Sequence, residues 1–458
     1  MSAHAEFFIR EIWQAIGGAP KSTGALEISG PVSLPSAFAV SELAAASIGA
    51  AGLAIREVMI EDGGPAPAVH VDRRLASRWF GLSIEPVGWS LASIWDAVAG
   101  DYATKDGWIR LHTNAPHHRS AAERVLGAQS DRDGMSKAVV TWEAAALEAA
   151  IVAQGGCAAQ MRSIDAWGAH PQGRAVTMEP LVHMAPTPPA ATPSRPRTSP
   201  SRPLAGVRVL DLTRVLAGPI ATRFLAGFGA EVLRIDPSSW NEPSIEPEVT
   251  LGKRCAGLDL RNPADLARLE NLIRSADVLV HGYRPGALDQ LGLGERRRAE
   301  LRPGLVDVCL DAYGWSGPWA ERRGFDSLVQ VSCGIADAGM HWKKAARPVP
   351  LPVQALDHAT GYIMAAAAVR GVARQRREGS GLVARTSLAR TAALLLGAGR
   401  VDSDVPSTSN QASDFQDEIE ANGWGPVRRL RAPLSVEGAP MTWALPGGRL
   451  RNSPPAWA

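Results

Sequence analysis

Short apolar runs alternate with amphipathic stretches through the middle of the chain. The segment GVRVLDLTR, from Gly206, has the near-continuous apolar pattern of a buried strand, and AEVLRID, from Ala230, has the same pattern. Between them, Ile220–Gly227 predicts a helix, with Pro219 in its first turn and a glycine at its exit. Such a strand–helix–strand unit is typical of a parallel α/β sheet.

The same pattern repeats further along the chain. The stretch NPADLARLENLIRSA predicts an amphipathic helix capped by Asn262, and DVLVHGY and LVDVCLDAYG predict a third and a fourth strand. These spacings favour an open, doubly wound sheet that binds its ligand at the carboxyl ends of the strands. The longest apolar stretches, near Phe38–Ile55 and Tyr362–Val369, are Ala-rich and short and are followed by charge, which predicts buried helices rather than membrane spans.

Two of the apolar runs resemble each other. The run LPSAFAVSELAAASIGAAGLA begins at Leu34, and LPVQALDHATGYIMAAAAVRG begins at Leu351. The similarity indicates either an internal repeat or a shared Ala-rich composition. Where the second run has Asp357, the first has Val40 and Ser41, so a carboxylate chemistry is expected in one copy only.

A segment rich in Pro, Ser, Thr and Arg interrupts these patterns and predicts an extended linker. With 458 residues, the chain is long enough for two or three domains. We therefore divide it into an N-terminal unit (1–186), the linker (187–203), a large unit (204–398) and a tail of uncertain order (399–458), in which we place no chemistry.

Composition and charge narrow the class of protein. Hydrophobic residues make up 45% of the chain and charged residues 21%, which is typical of a globular protein. The net charge of +2 provides no overall field for nucleic acid or an anionic membrane, so neither is expected as a partner. The polar start, Met1–Arg10, lacks the pattern of a signal peptide, and a cytoplasmic protein is the expectation. The four cysteines have no CxxC spacing, so we expect reduced thiols, no zinc site and no disulfide framework.

Three features could carry chemistry, and each has a simpler structural explanation. The turn Thr213–Pro219 offers backbone N–H groups to an anion at a helix N-terminus, or is simply a tight connection. Cations near strand ends, such as Arg284, either meet phosphates or are solvated. Asp357 either caps a helix or is a nucleophilic carboxylate.

Two other motifs are set aside. The segment Gly314–Pro318 lacks the last glycine of a nucleophile elbow, which argues against a serine hydrolase. The imidazoles of His117 and His118 are expected to point apart and have no nearby thiol ligands, so no metal site is predicted there.

Residues 204 to about 397 resemble the class III CoA-transferase superfamily. The resemblance rests on five segments in family order: VLDLTRVLAGPIATRFLAGFGAEVLRID, LGKRCAGLDLRNP, ADVLVHGYRPGALDQLGLG, DAYGWSGPWAERRGFDSLVQ and LDHATGYIMAAAAV. The family contains formyl-CoA and carnitine CoA-transferases and α-methylacyl-CoA racemase. The resemblance implies an α/β fold with a Rossmann-like open parallel sheet in the large domain, a smaller α+β domain and interlocked homodimers.

The resemblance also assigns roles to individual residues. Asp357 matches the aspartate that forms an acyl anhydride and then an aspartyl-CoA thioester, and Asp326 is a supporting or acid/base candidate. CoA, as substrate and acyl carrier, is the implied ligand, with acyl-CoA and carboxylic acids as partners and with no metal. The positions that match CoA contacts are Val215, Leu216, Ala217, Leu258, Arg261, Ala287 and Arg323. At Pro237, Gly282 and Gln290 the chain departs from the polar or basic side chains of many relatives.

The resemblance leaves two alternatives to a CoA-transferase. One is an acyl-CoA racemase or epimerase, although the racemases place a histidine where this chain has Phe325. The other is a catalytically silent CoA-binding subunit, which the altered contact positions would suit. The N-terminal unit is similar to the family's small domain, moved to the front of a degenerate half.

Overall fold

A computed structural model describes residues 1–190, 199–406 and 409–458. The helices in these ranges are α1 (Ala3–Ala15), α2 (Val40–Glu61), α3 (Arg73–Trp79), α4 (Pro116–Leu126), α5 (Arg132–Val139), α6 (Ala144–Ala153), α7 (Ile164–Ala169), α8 (Pro171–Met178), α9 (Ala217–Gly227), α10 (Glu246–Val249), α11 (Pro263–Arg274), α12 (Ala287–Gln290), α13 (Glu295–Leu301), α14 (Asp326–Ser332), α15 (Ile335–Lys343), α16 (Ala355–Glu378) and α17 (Leu388–Gly397).

The strands in the same ranges are β1 (Leu26–Ser29), β2 (Ser36–Phe38), β3 (Val69–Asp72), β4 (Ile84–Pro86), β5 (Gly100–Ala103), β6 (Trp108–Leu111), β7 (Ala158–Gln160), β8 (His183–Pro186), β9 (Arg208–Leu212), β10 (Glu231–Asp236), β11 (Lys253–Gly257), β12 (Val278–His281), β13 (Val306–Asp311), β14 (Leu382–Ser387), β15 (Arg400–Ser403), β16 (Phe415–Asn422), β17 (Gly425–Leu430) and β18 (Leu434–Val436).

Among the described residues, seven strands form the central sheet, in the order β11-β10-β9-β12-β13-β14-β8. All neighbouring pairs are parallel except β14 and β8, which are antiparallel. From β9 the chain adds β10 and β11 on one side and then crosses to add β12 on the other. In open parallel sheets such a reversal leaves a crevice at the carboxyl ends of the two strands where ligands bind. Here that crevice lies beyond Leu212 and His281.

Two long apolar helices form the centre of the core. Helix α2 packs along α16, and α9 packs against α16 next to the sheet. Helix α2 is long and apolar enough to cross a membrane, but 83% of its most apolar stretch is buried inside the protein. It is therefore built as a core helix, as the Ala-rich pattern predicts.

The smaller sheets join distant parts of the chain. Strand β18 pairs with β3, β15 pairs with β2, and β17 pairs with β4, so residues 26–86 and 400–436 share three sheets. Strands β5, β6 and β7 form a separate sheet, whose apolar side packs with α4, α5 and α6. This small α+β layer contacts the family-like segment through α14.

The predicted elements of the large unit are confirmed. Strands β9, β10, β12 and β13 cover the four predicted strands, and the Asn262 side chain accepts a hydrogen bond from the Ala264 N–H, at 2.9 Å, to cap α11. All four cysteines are buried and free. Residues 191–198 of the predicted linker lie outside the described residues, and the division of the chain into units stays a prediction.

Candidate active site

The Asp357 carboxylate lies at the N-terminus of α16 and lines a cavity of about 350 Å³. Asp357 is the third residue of the helix and is 7% exposed. The Ala217 N–H, at the start of α9, hydrogen-bonds to it. Because the backbone N–H groups at helix N-termini favour negative charge, two helix ends converge on this carboxylate.

The Asp326 carboxylate lies behind Asp357, and the two residues are in direct contact. One Asp326 oxygen accepts the Asp357 N–H at 2.9 Å, and the other accepts a hydrogen bond from the Gln330 side chain. The Leu356 N–H also hydrogen-bonds to Asp326. Asp326, not Asp357, therefore satisfies the free backbone N–H groups at the start of α16, so the helix-cap explanation for Asp357 is wrong.

Burial changes the protonation of both carboxyl groups. Desolvation raises the pKa of Asp357 well above its usual value, the Asp326 charge raises it further, and the Ala217 N–H opposes the shift. Desolvation likewise raises the pKa of Asp326 to about 6, against the hydrogen bonds that it accepts. The two groups titrate as a pair, and Asp357 is the member held back from ionising.

The loop after β9 has an unusual backbone at the predicted CoA contact. Val215 has φ +63°, a left-handed conformation that costs a β-branched residue about 1–2 kcal/mol. Its N–H donates to the Glu242 carboxylate at 2.8 Å, and Glu242 also pairs with the buried Arg234. The strained turn is thus fixed from below, which directs the loop into the crevice.

The predicted site residues fall into three groups. Those that line the same cavity as Asp357 are Val215, Leu216, Ala217, Ala287 and Arg323. Leu258 and Arg261 line a second cavity of about 220 Å³ beyond β10, together with the departure position Pro237. Asp326 does not line either of these two cavities. The Arg261 guanidinium is 79% exposed and forms a forked ion pair with Asp259, at 2.9 and 3.0 Å.

Side chains that the residue-by-residue assignment did not include connect the two cavities. Arg214 and Tyr283 line both, and the Arg214 guanidinium lies 5.0 Å from the Trp240 ring centroid and 5.7 Å from that of Tyr283. Arg284 lines the first cavity as well. Sequence analysis had placed Arg214 in the anion-binding turn and Arg284 among cations near strand ends, and the fold brings both to one crevice.

The N-terminal part of the chain supplies one wall of the first cavity. His117 and His118, in the first turn of α4, both line it beside Arg323. Their ring centroids are 4.1 Å apart, so the expectation that the rings point apart is wrong. Within the described ranges, they form no group of three or more metal-ligand side chains. Sequence spacing gave no signal for this placement, because α4 lies about 90 residues before the loop it faces.

A family model, described as CoA-transferase family III, matches residues 204–421. This segment belongs to CoA-transferase family III. The resemblance seen in the sequence is confirmed, and the family III segment contains all nine predicted site residues. His117 and His118 lie outside it.

Relatives of the family III segment have names that describe CoA transfer. An acyl-CoA transferase of Gibberella moniliformis is 30% identical over 63% of this chain and 54% of its own length. The succinyl-CoA:glutarate CoA-transferase of Mus musculus is 33% identical over 39% of this chain and 44% of its own length. The chain therefore spans about half the length of these relatives. A crystal structure of the hypothetical protein Rv3272 from Mycobacterium tuberculosis has 28% identity and a TM-score of 0.39, and the match covers 43% of this chain and 58% of that one.

Proposed function

We propose that this protein transfers CoA from an acyl-CoA thioester to a carboxylic acid through Asp357. One observation carries the proposal: in a segment of CoA-transferase family III, the Asp357 carboxylate lines the same cavity as the Val215–Ala217 loop. A carboxylate removed from water, next to a loop able to hold CoA, has the surroundings of a covalent nucleophile.

The reaction balances with two carboxylates and one thioester. An Asp357 oxygen attacks the thioester carbon, the C–S bond breaks, and CoA leaves as a thiolate from a mixed anhydride. The thiolate then attacks the Asp357 carboxyl carbon and releases the donor acid, which leaves an aspartyl-CoA thioester. The acceptor carboxylate repeats the sequence in reverse and regenerates Asp357. No electron is gained or lost, and the attacking group only needs to be ionised.

The two cavities suit the two ends of CoA. The second cavity, with Leu258 and Arg261, would take the nucleotide end, and the first would take the thioester. Arg214, which lines both, would meet the phosphates between them because a guanidinium pairs well with phosphate oxygens. To bind phosphate, Arg261 would exchange its exposed pairing with Asp259 for the ligand. The family resemblance also supports interlocked homodimers as the assembly in which this occurs.

Trapping of the covalent intermediate tests the proposal. The purified protein is incubated with a panel of acyl-CoA thioesters and hydroxylamine, and intact-protein and peptide mass spectra are recorded. We expect a hydroxamate on the peptide that contains Asp357 and none in Asp357→Ala or Asp357→Asn. The thioester that gives the adduct identifies the acyl donor.

A matched control is available in the paired helix. Glu42 is the third residue of α2, as Asp357 is of α16, but it forms an ion pair with Arg73 at 3.4 Å. Glu42→Gln should leave the adduct unchanged. If no thioester gives an adduct although CoA binds, the transferase mechanism is wrong. Deuterium wash-in at the acyl α-carbon without an acceptor acid would then favour a racemase, and no turnover at all a silent CoA-binding subunit.

A further inference from the structure

The imidazole of His118 lies in the wall of the Asp357 cavity and has no role in the mechanism above. His118 is 4% exposed, and neither ring nitrogen has a hydrogen-bond partner among the described residues. A buried polar group without a protein partner is uncommon in a folded chain. Both nitrogens therefore need an explanation, and a ligand in the cavity that the ring lines would provide one.

Packing places this ring close to the carboxylate pair. The His118 ring meets the edge of Phe325, with 5.7 Å between ring centroids, and Phe325 is followed directly by Asp326. The Asp326 carboxylate accepts the Asp357 N–H. One aromatic side chain therefore separates the imidazole from the nucleophile pair, on the side of the cavity opposite the crevice loops of the family III segment.

The chemistry of the wall favours a hydrogen-bond donor. Burial, together with the nearby His117 and the charge of Arg323, lowers the pKa of His118 to about 4, so the ring is neutral at physiological pH. A neutral imidazole has one N–H donor, whichever nitrogen carries the proton. The neighbours of His118 on this wall, His117, Arg322 and Arg323, are bases, so the wall suits an oxygen that carries or gains negative charge.

We propose that His118 is a catalytic residue that donates a hydrogen bond to the carbonyl oxygen of the acyl group reacting at Asp357. The inference rests on the proposed function and assigns one donor within it. When the Asp357 oxygen bonds to the thioester carbon, the C=O π pair moves onto this oxygen. When the intermediate collapses, the pair returns and the sulfur leaves as thiolate. The imidazole keeps its proton throughout and stabilises the oxygen most when its charge is greatest.

His118→Phe tests the assignment, because the aromatic contact with Phe325 is kept while the N–H is removed. We expect the turnover number to fall by roughly 10²–10³-fold, as for the loss of one oxyanion donor, with the KM for acyl-CoA and the affinity for CoA little changed. His118→Gln keeps an N–H donor and should turn over faster than His118→Phe. The melting temperature of both variants should match that of the unchanged protein.

His112→Phe is the matched control. The His112 ring stacks on the same Phe325, with 3.8 Å between centroids, but it does not line the cavity. This variant should keep full turnover, because it preserves the packing and removes no donor from the cavity.

The outcomes separate this inference from the proposed function. If the unchanged protein gives no Asp357 adduct, the proposed function fails first. If it gives the adduct and His118→Phe turns over within about three-fold of it, the hydrogen bond contributes nothing to the transition state and the inference is wrong. Loss of turnover together with CoA affinity and melting temperature would show a packing role and would also overturn it.

Discussion

Asp357 and Asp326 share one helix end but have different surroundings. Asp326 accepts backbone N–H groups and a glutamine amide, which hold its charge, whereas Asp357 accepts the Ala217 N–H and faces a cavity. Of two neighbouring carboxyl groups, the one with fewer donors is the one that remains protonated to higher pH. The nucleophile is thus the weaker acid of the pair.

Replacement of Asp326 should move the pH dependence of CoA transfer. Asp357 attacks as a carboxylate, so the turnover number rises as the pH passes upward through its raised pKa. Asp326→Asn removes the neighbouring negative charge, lowers the pKa of Asp357 and should shift this rise to lower pH. Turnover numbers recorded between about pH 5 and 9 measure the shift. A rise at unchanged or higher pH would contradict it.

At the scale of single residues, sequence reasoning reached the family's motif positions and little else. Asp357 and the Val215–Ala217 loop lie in one cavity as expected, because both are held by local segments with strong patterns. The φ of Val215 could not be predicted, because it depends on Glu242, 27 residues away. His118 could not be predicted either, because its neighbours come from a distant part of the chain.

Helices α9 and α16 approach closely where Gly361 faces the start of α9. A Cβ at Gly361 would lie 2.5 Å from the Ala217 carbonyl oxygen and 2.9 Å from the Ile220 Cβ. Gly361 is one helical turn after Asp357, on the same side of α16. The missing side chain therefore allows the Ala217 N–H to reach the Asp357 carboxylate.

Gly361→Ala should separate the two helices. We expect a loss of about 1–3 kcal/mol in the free energy of unfolding, as for other overpacked cores, and a slower formation of the Asp357 hydroxamate. Gly168→Ala is the control, because it also lies in a helix but a Cβ there meets no atom within 4 Å. Thermal unfolding and mass spectrometry provide the two measurements. If both variants behave alike, the close approach has no part in positioning Asp357.

Strands with continuous apolar runs were predictable, and those with charges were not. Strand β11 contains Lys253 and Arg254, and its sequence suggested only cations near a strand end. The fold buries the Lys253 amine against Asp211, at 3.0 Å, so a charged residue can occupy the interior of the sheet. Strand β8 was also missed, because a four-residue edge strand has too short a pattern to detect.

At the scale of the whole molecule, a buried charge cluster joins three parts of the chain. The Glu248 carboxylate pairs with Arg223 and accepts both the N–H and the hydroxyl of Ser83, at 3.1 and 2.8 Å. Arg429 donates to the same hydroxyl at 3.0 Å. Residues from the N-terminal part, the family III segment and the C-terminal region therefore depend on one carboxylate.

Glu248→Gln should destabilise the entire chain. Arg223 would keep its charge in a fully buried position without a counter-ion, which typically costs about 3–5 kcal/mol. Glu300→Gln breaks an exposed pair with Arg296 and should cost less than about 1 kcal/mol. Urea unfolding followed by tryptophan fluorescence measures both. We expect one transition in each protein, and a variant in which only one of two transitions moves would contradict the joining role.

The pairing of α2 with α16 also has a consequence for how the protein is made. About 300 residues separate the two helices, and a ribosome adds roughly 5–20 residues per second, so α2 emerges some 15–60 s before its partner exists. During that interval an apolar helix of membrane-spanning length has no partner helix to cover it. A cell that produces this protein must therefore shield that helix during translation, and chaperone supply, rather than final stability, would set the yield of folded enzyme.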